Sequence, residues 1–550
     1  MAYDLIKEAL LSNNFEELAS FFYAEQAYWR EIVTLTSHLR IFSTPGVIAK
    51  ALVHTKDLRG ITGNVELTGD THFVVVNPTI IFIDCGILFR TTSPALSCIG
   101  KMLLLPVIDN AATGSISWKV WTLSAWVENI VQHPEDEARL MSPSKSLDGL
   151  DTVETDVFIL GAGSSVIVYQ NAKLGDNWTN RYGCLQFHVP TLSCELPYAY
   201  YPKDLRTPHR LTKDEVAEHL RQYATNFHLD VILLTISLSS FDTSEKKWTV
   251  KLKTTDGKPG KTVFCKDFAQ ATGIGCQIPN IPTIKDKHLF KGLDLHSVGF
   301  RNVQSLSRQG IKSVAIIGLA NTAFEIMRDC YAAGLKTTMV ARSPTCIFPY
   351  EYVMNPHSFG AYDNLSLEVA DRILYTLPPA LDGQFSHGLL SQLASQEPDR
   401  YLSLAQAGLP VLDSRDPSFD VQSILNERGG GHYVDVAVRG LVEPVGYTEA
   451  GLLLSDGSFL NADAVIWCTG IADTDVRTIA LGVFGGTDPD TKHKSDVLNP
   501  ADITARLDAT WGVDAEGEVC GVWKRHLRMD NYWVIGGAIQ HQRWWSRPMA

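Results

Sequence analysis

Between Ser313 and Pro344 the chain reads SVAIIGLANTAFEIMRDCYAAGLKTTMVARSP, and few folds accommodate that order of residues. Val314–Ile317 is a short apolar run of the kind a buried parallel strand needs. Gly318-Leu319-Ala320 turns the chain into a helix that starts near Asn321. Thr322, Ala323, Ile326, Met327 and Tyr331 supply the body and apolar face of that helix, and Gly334 stops it. Thr337–Ala341 is the next strand and ends at Arg342. A tight turn after a strand lets the backbone approach a pyrophosphate, and the helix N-terminus offers it N–H groups and partial positive charge. Arg342 falls where a dinucleotide's ribose sits. An acid there favours a free 2′-hydroxyl, whereas an arginine favours a 2′-phosphate, hence NADPH over NADH. Ala320 stands where the usual fingerprint has its second glycine.

The rest of the composition narrows the partners. A net charge of −13 counts against nucleic acid or an anionic membrane surface as the main partner. The ten cysteines form no CxxC pair and no metal-like spacing with histidine, which suits a reduced, cytoplasmic protein and no bound metal. No secretory signal opens the chain, and no apolar run reaches membrane-spanning length.

Residues 1–140 read as a separate α+β domain. Helical spacing covers Asp4–Leu11, Phe15–Glu25 and Pro45–Leu52. Strand-like stretches are Trp29–Leu39, Thr71–Asn77, Ile80–Ile83, Lys101–Pro106 and Ser117–Trp126. Helices followed by a run of strands predict a segregated layout. The pattern resembles the SnoaL-like cone fold, in which Trp118, Trp121 and Trp126 either line a pocket or form plain core. Residues 141–154 read as a linker. A second nucleotide signal follows: the strand Asp156–Leu160, then Gly161-Ala162-Gly163. Val166 replaces the third glycine, and Val166–Tyr169 already reads as the next strand. That leaves no room for a crossover helix, which takes about ten residues or more. This first half-site is therefore incomplete as written.

Further on, Thr212 and Glu215 have capping-box spacing at the start of a helix running to Phe227. Strand pieces lie at Val231–Leu238 and Trp248–Leu252, and Ala271-Thr272-Gly273 closes a strand and turn. Residues 345–440 are mixed, with helical spacing at Ala370–Leu377, Gly388–Ala394 and Tyr401–Ala407. This stretch is expected to shape a substrate pocket. A second strand and turn ends at Cys468-Thr469-Gly470.

From Thr155 to the C-terminus these pieces resemble the flavin-containing monooxygenases, in particular the branch with plant indole-pyruvate and fungal secondary-metabolism enzymes. The resemblance rests on order: GAG, then Gly175-Asp-Asn-Trp178, then ATG. FKGLDLHSVGF (290–300) comes next, followed by the GLANTA turn with Arg342 and then CTG. It implies an α/β fold of two interleaved Rossmann-like domains behind the cone-like one. The expected division is 155–310 with 440–550 for FAD and 311–439 for NADPH. It also implies that NADPH reduces the flavin and that the reduced flavin uses O2 to oxygenate a small, largely apolar substrate.

Gly161, Gly163 and Trp178 match family FAD contacts; Gly318, Asn321, Thr322 and Arg342 match NADPH contacts. Asp176, Arg181, Gly273 and Gly470 join them as cofactor-site candidates. No acid–base triad is expected, because the flavin carries the chemistry. His296 reads as structural, linking the ATG region to the second nucleotide domain. The competing reading, motivated by the broken first fingerprint, is a redox-inactive family member whose cone domain binds or isomerises a ligand.

Overall fold

The structure is a computed structural model. It describes residues 2–549 except 78–79, 111–113, 144–146, 148, 162–166, 169–172, 230, 255–258, 274–277, 403–405, 407–410, 420–431, 434–443, 473–474 and 487–495.

The N-terminal portion is built from α1 (Ala2–Leu11), α2 (Phe15–Ser20), β1 (Tyr28–Ile32), β2 (Leu39–Ser43), α3 (Pro45–Arg59), β3 (Ile61–Asn77), β4 (Ile80–Thr92), β5 (Ala95–Asn110) and β6 (Ser115–Ile130). Its sheet runs in the order β2-β1-β6-β5-β4-β3. Only the β1–β6 pair is parallel. The helix predicted over Phe15–Glu25 stops at Ser20, because Phe22 leaves it to bridge Val120. The strand predicted over Trp29–Leu39 is two strands. Val33 adopts a left-handed φ of 66°, and the buried Glu31 carboxylate accepts the backbone N–H groups of Leu35 and Thr36, which folds the chain back.

Alternation along the strands gives this sheet two different faces. Ala9, Leu18, Ile48 and Leu52 from the helices pack on Trp29, Phe89, Met102 and Leu123 on one face. Trp118 packs at the margin of that core, whereas Trp121 and Trp126 point the other way. There Trp126 packs on Trp544, 5.9 Å between ring centres, in a cluster with Tyr375 and Trp523, and Trp121 packs on Phe82, 6.5 Å between ring centres, in a cluster with Leu103 and Leu381. The cavity left among the helix-side residues is about 70 Å³ and wholly apolar, which is too small for a metabolite.

Arg30 fixes the junction between this sheet and the rest of the chain. Its guanidinium makes a two-pronged pair with Glu518 (2.7 and 2.8 Å) and donates to the carbonyls of Tyr375 and Leu377. Both side chains are almost fully buried, so either charge left alone would be severely destabilising.

Two further sheets carry the nucleotide signals. The first follows Val497–Leu498, Thr235–Asp242, Lys247–Lys253, Pro259–Gln270, Thr152–Leu160, Ile167–Val168 and Val231–Ile232, with Tyr532–Val534 also paired to Pro259–Gln270. Val231–Leu238, predicted as one strand, is thus divided between two. The second sheet is parallel, in the order Leu293–His296, Ala464–Trp467, Ser313–Ile317, Lys336–Val340. The helix Lys213–Asn226 has the predicted capping box. Within the 345–440 stretch, helices form at Leu367–Tyr375 and Pro379–Gln396. Most of Tyr401–Ala407 lies outside the described residues. Arg543, on the last helix (Ile539–Met549), is held by Asp371 (2.6 and 2.8 Å) and by the carbonyls of Ser193 and Glu195.

Candidate nucleotide and substrate cleft

The stretch that most constrains the sequence folds as read. Ser313–Ile317 is a strand with four consecutive buried residues, the helix runs Asn321–Ala332, Gly334 is left-handed, and Lys336–Val340 is the second strand. Ala323, Phe324, Ile326 and Cys330 form the buried stripe of the helix. Tyr331, predicted to lie on that face, is 75% exposed because the stripe passes through Cys330 instead.

Gly318 sits at φ 130°, and a Cβ there would lie 2.3 Å from the carbonyl oxygen of Cys468. Glycine is thus required for the turn to seat against the neighbouring strand. Ala320 caps the helix in an extended conformation without contributing a side-chain acceptor. The helix therefore opens at a cap that leaves its first N–H groups uncovered by any side chain from that residue. Gly318, Asn321, Thr322 and Arg342 line one cleft, and Arg342 is exposed just beyond the strand end. Among the described residues Arg342 makes no ion pair. A bare cap, a close-packed glycine turn and an unengaged guanidinium fit a dinucleotide pyrophosphate with a 2′-phosphate.

The first unit repeats the seat but not the cradle. Gly161 has φ 111°, and its Cβ would lie 2.2 Å from the carbonyl oxygen of Ala271. Six residues later the chain is already in the strand Ile167–Val168, parallel to the strand it has just left. Gly163 lies outside the described residues.

Asp176, Trp178, Arg181 and Gly273 line the same cleft as the second unit. The carboxylate of Asp176 is engaged locally, accepting from Lys173 N (2.9 Å) and Thr179 Oγ1 (3.3 Å). Trp178 leans on Phe187, 5.1 Å between ring centres. Arg181 Nε is buried and has no hydrogen-bond partner among the described residues. An orphaned buried donor at a cleft wall fits an acceptor-rich ligand such as FAD.

Gly470 also lines the cleft, and its carbonyl accepts from His296 Nε2 at 3.0 Å. His296 Nδ1 in turn accepts from Val298 N (3.2 Å), so the ring is neutral with its proton on Nε2, and burial lowers its pKa. The link it makes is to the CTG turn, not the ATG turn. The segment after ATG reaches CTG separately, where Asn280 N donates to the same Gly470 carbonyl.

A cluster not singled out in the sequence joins the two units. Glu325, in the helix Asn321–Ala332, accepts from the Tyr182 hydroxyl and lies 2.8 Å from His188 Nε2. The Tyr182 hydroxyl is also 3.4 Å from Thr322 Oγ1. Tyr182, His188 and Thr322 all line the cleft. Burial, and then the Glu325 carboxylate, raise the Tyr182 pKa well above the usual phenol range. The available signal was Glu325 itself, a charge set between Phe324 and Ile326 on the buried helix face.

The cleft as a whole holds about 2430 Å³. From the 345–396 stretch the lining includes Phe348, Ile373, Leu377, Phe385, Leu389 and Leu393 together with polar side chains such as Asn355, His357 and Asp382. No described helix is long and apolar enough to cross a membrane.

No family model matches the chain. Among curated proteins it is 26% identical over 320 residues to the indole-3-pyruvate monooxygenase YUCCA8 of Oryza sativa subsp. indica, covering 55% of this chain and 69% of that one. The probable indole-3-pyruvate monooxygenase YUCCA3 of Arabidopsis thaliana is also 26% identical over 320 residues, with 56% and 68% covered. Among solved structures, a flavin-containing monooxygenase from Stenotrophomonas maltophilia aligns with a TM-score of 0.41 at 18% identity, covering 72% of this chain and 98% of that one. The closed form of cyclohexanone monooxygenase aligns at 0.45 and 14%, covering 72% and 84%. The curated relatives are monooxygenases and support reading the chain as a flavin-dependent monooxygenase.

Proposed function

We propose that the chain inserts one oxygen atom from O2 into a small, largely apolar metabolite, by hydroxylation, epoxidation or Baeyer–Villiger insertion. The observation that carries this reading is the single cleft lined by both nucleotide units and by apolar side chains of the 345–396 stretch. In this reading residues 155–310 and 440–550 hold FAD and residues 311–439 hold NADPH. The SnoaL-like cone domain spans 1–140, ahead of a linker at 141–154. A cytoplasmic, fungal enzyme of polyketide-like secondary metabolism is the setting we infer from the motif order.

FAD, once bound, would supply the redox chemistry between NADPH and O2. The chain's own residues bind and orient. The Gly318 turn and the N–H groups of Asn321 and Thr322 receive the NADPH pyrophosphate, and Arg342 pairs with its 2′-phosphate. Gly161 and Gly163 would hold the flavin dinucleotide together with Asp176, Trp178, Arg181, Gly273 and Gly470. Phe348, Leu377 and Phe385 keep water from the reacting end. The competing reading, a ligand held between the N-terminal sheet and its own helices, finds there a wholly apolar cavity of about 70 Å³ among the described residues.

The test is the visible spectrum of the purified protein before and after anaerobic NADPH. A flavin spectrum that bleaches supports the proposal. A colourless protein that cannot be reconstituted with FAD overturns it.

A further inference from the structure

The N-terminal sheet reaches the cleft with the face that its own helices leave uncovered. Val74, Val76, Phe82, Leu103, Asp84 and Lys101 all line the cleft that also contains Gly318 and Arg342. They come from the three strands β3, β4 and β5. Val74 stands directly opposite Phe82, and Asp84 opposite Leu103. The wall is thus a continuous patch of sheet surface. It is anchored by Phe385 of the helix Pro379–Gln396, which packs 5.9 Å from Phe82 and 5.4 Å from Trp121 between ring centres.

On this apolar wall sits one ion pair. Lys101 Nζ lies 3.0 Å from Asp84 Oδ2, and the two side chains are only 14% and 22% exposed. An ammonium has three protons to donate, and Asp84 takes one. Charged groups withdrawn from water onto an apolar surface are costly unless their remaining valences are met. A ligand with an apolar body and an oxygen acceptor at one end meets both demands.

We infer that this outer sheet face is a wall of the substrate chamber, and that Lys101 donates to the carbonyl or carboxylate oxygen of an otherwise apolar substrate lying along Val74, Val76, Phe82 and Leu103. The inference rests on the oxygenase reading for the name of the chamber, though not for the binding itself. Asp84 acts on the same oxygen with opposite sign. It holds the ammonium in place and repels an anionic ligand.

The test uses decanoate as probe and the full-length, FAD-reconstituted protein, followed by calorimetry and by Trp121 fluorescence. Decanoate is expected to bind saturably. Lys101→Met should weaken it by about tenfold, the loss of one charge-assisted hydrogen bond. Asp84→Asn should tighten it several-fold, a gain that a misfolded variant cannot give. Leu103→Trp, which fills the wall, should abolish binding. Unchanged decanoate affinity in both Lys101→Met and Asp84→Asn overturns the inference, as does equal weakening in both. The flavin spectrum is read separately. A protein that binds decanoate with the expected signs yet does not bleach with NADPH keeps the wall and loses the oxygenase. A protein that bleaches while decanoate ignores both substitutions keeps the oxygenase and loses the wall.

Discussion

The two nucleotide units are alike at the seat and unlike at the cradle. In each, a strand ends in a glycine at strongly positive φ whose missing Cβ admits a neighbouring carbonyl: Gly161 against Ala271, Gly318 against Cys468. In each, that carbonyl belongs to the residue before Thr-Gly, and the same residue's N–H returns to the strand, Ala271 N to Leu160 O (2.7 Å) and Cys468 N to Ile317 O (2.8 Å). After Gly318 a twelve-residue helix opens onto the cleft, whereas after Gly161 the chain pairs again as a strand within seven residues. Glycine in such a motif is thus first a packing requirement, and only the helix that follows adds an anion site. A glycine fingerprint without its helix marks the fold better than it marks the ligand.

The largest expected effect separates the units by acid. His219, His526 and His541, in segments around the first unit, are each pushed down to about 4 by burial. A histidine with a depressed native pKa contributes stability fully above its unfolded value near 6.5, and that contribution fades as pH falls toward 4. Each should cost about 2 kcal/mol at pH 5. Glu31, raised to about 7 by burial, has the opposite sign and gains stability as pH falls through 7, which offsets about one histidine. These four groups together should lower stability by about 4 kcal/mol between pH 7.5 and pH 5, read in urea unfolding. Amide exchange at pH 5 should quicken in Phe268–Gln270 before Val314–Ile317. Equal exchange in both strands would break the contrast.

The likeness is tested next. Gly161→Ala and Gly318→Ala should each cost about 3 kcal/mol in thermal or urea unfolding, because both clash with backbone and both demand an unfavourable φ. If Gly161→Ala were mild while Gly318→Ala were severe, the shared seat would not exist. Arg342→Ala then probes the unlike part. It should weaken NADPH by roughly 30-fold and leave NADH unmoved, as loss of a guanidinium–phosphate pair predicts. Equal weakening of both cofactors would mean that Arg342 does not face the 2′-phosphate.

How much of this was legible in the sequence follows from range of interaction. The second unit could be read because strand, turn, helix and strand are contiguous, so local pattern and tertiary role coincide. The missing crossover after Gly161 could be read from spacing alone. The N-terminal sheet was legible as strands, but not in extent: Ile80–Ile83 is only the start of β4, whose length is set by its partners. Trp121 and Trp126 carry no local sign of which face they occupy. That is decided by Arg30, Ser124 and the 367–396 helices, which are hundreds of residues apart in sequence. The Tyr182–His188–Glu325 cluster escaped for the same reason, since its members meet only when the first unit docks on the second unit's helix. Tyr331 was misplaced because a helical stripe leaves a one-residue ambiguity at its end.

The smallest effect is the most discriminating, because it asks one residue to move two quantities in opposite directions. Ala320 already has the extended conformation that a capping residue adopts, yet it offers no acceptor. Ala320→Ser should therefore bond the N–H groups at the start of the helix and stabilise the protein by about 1 kcal/mol. If those same N–H groups receive the cofactor's pyrophosphate, the serine competes with it, and NADPH affinity should fall a few-fold while the melting temperature rises. A stabilised protein with unchanged NADPH affinity would show that the helix N-terminus is not the cradle, leaving the two units alike in the seat and without the difference drawn between them. The first unit offers no such test among its described residues, because Ile167–Val168 is a strand six residues after Gly161.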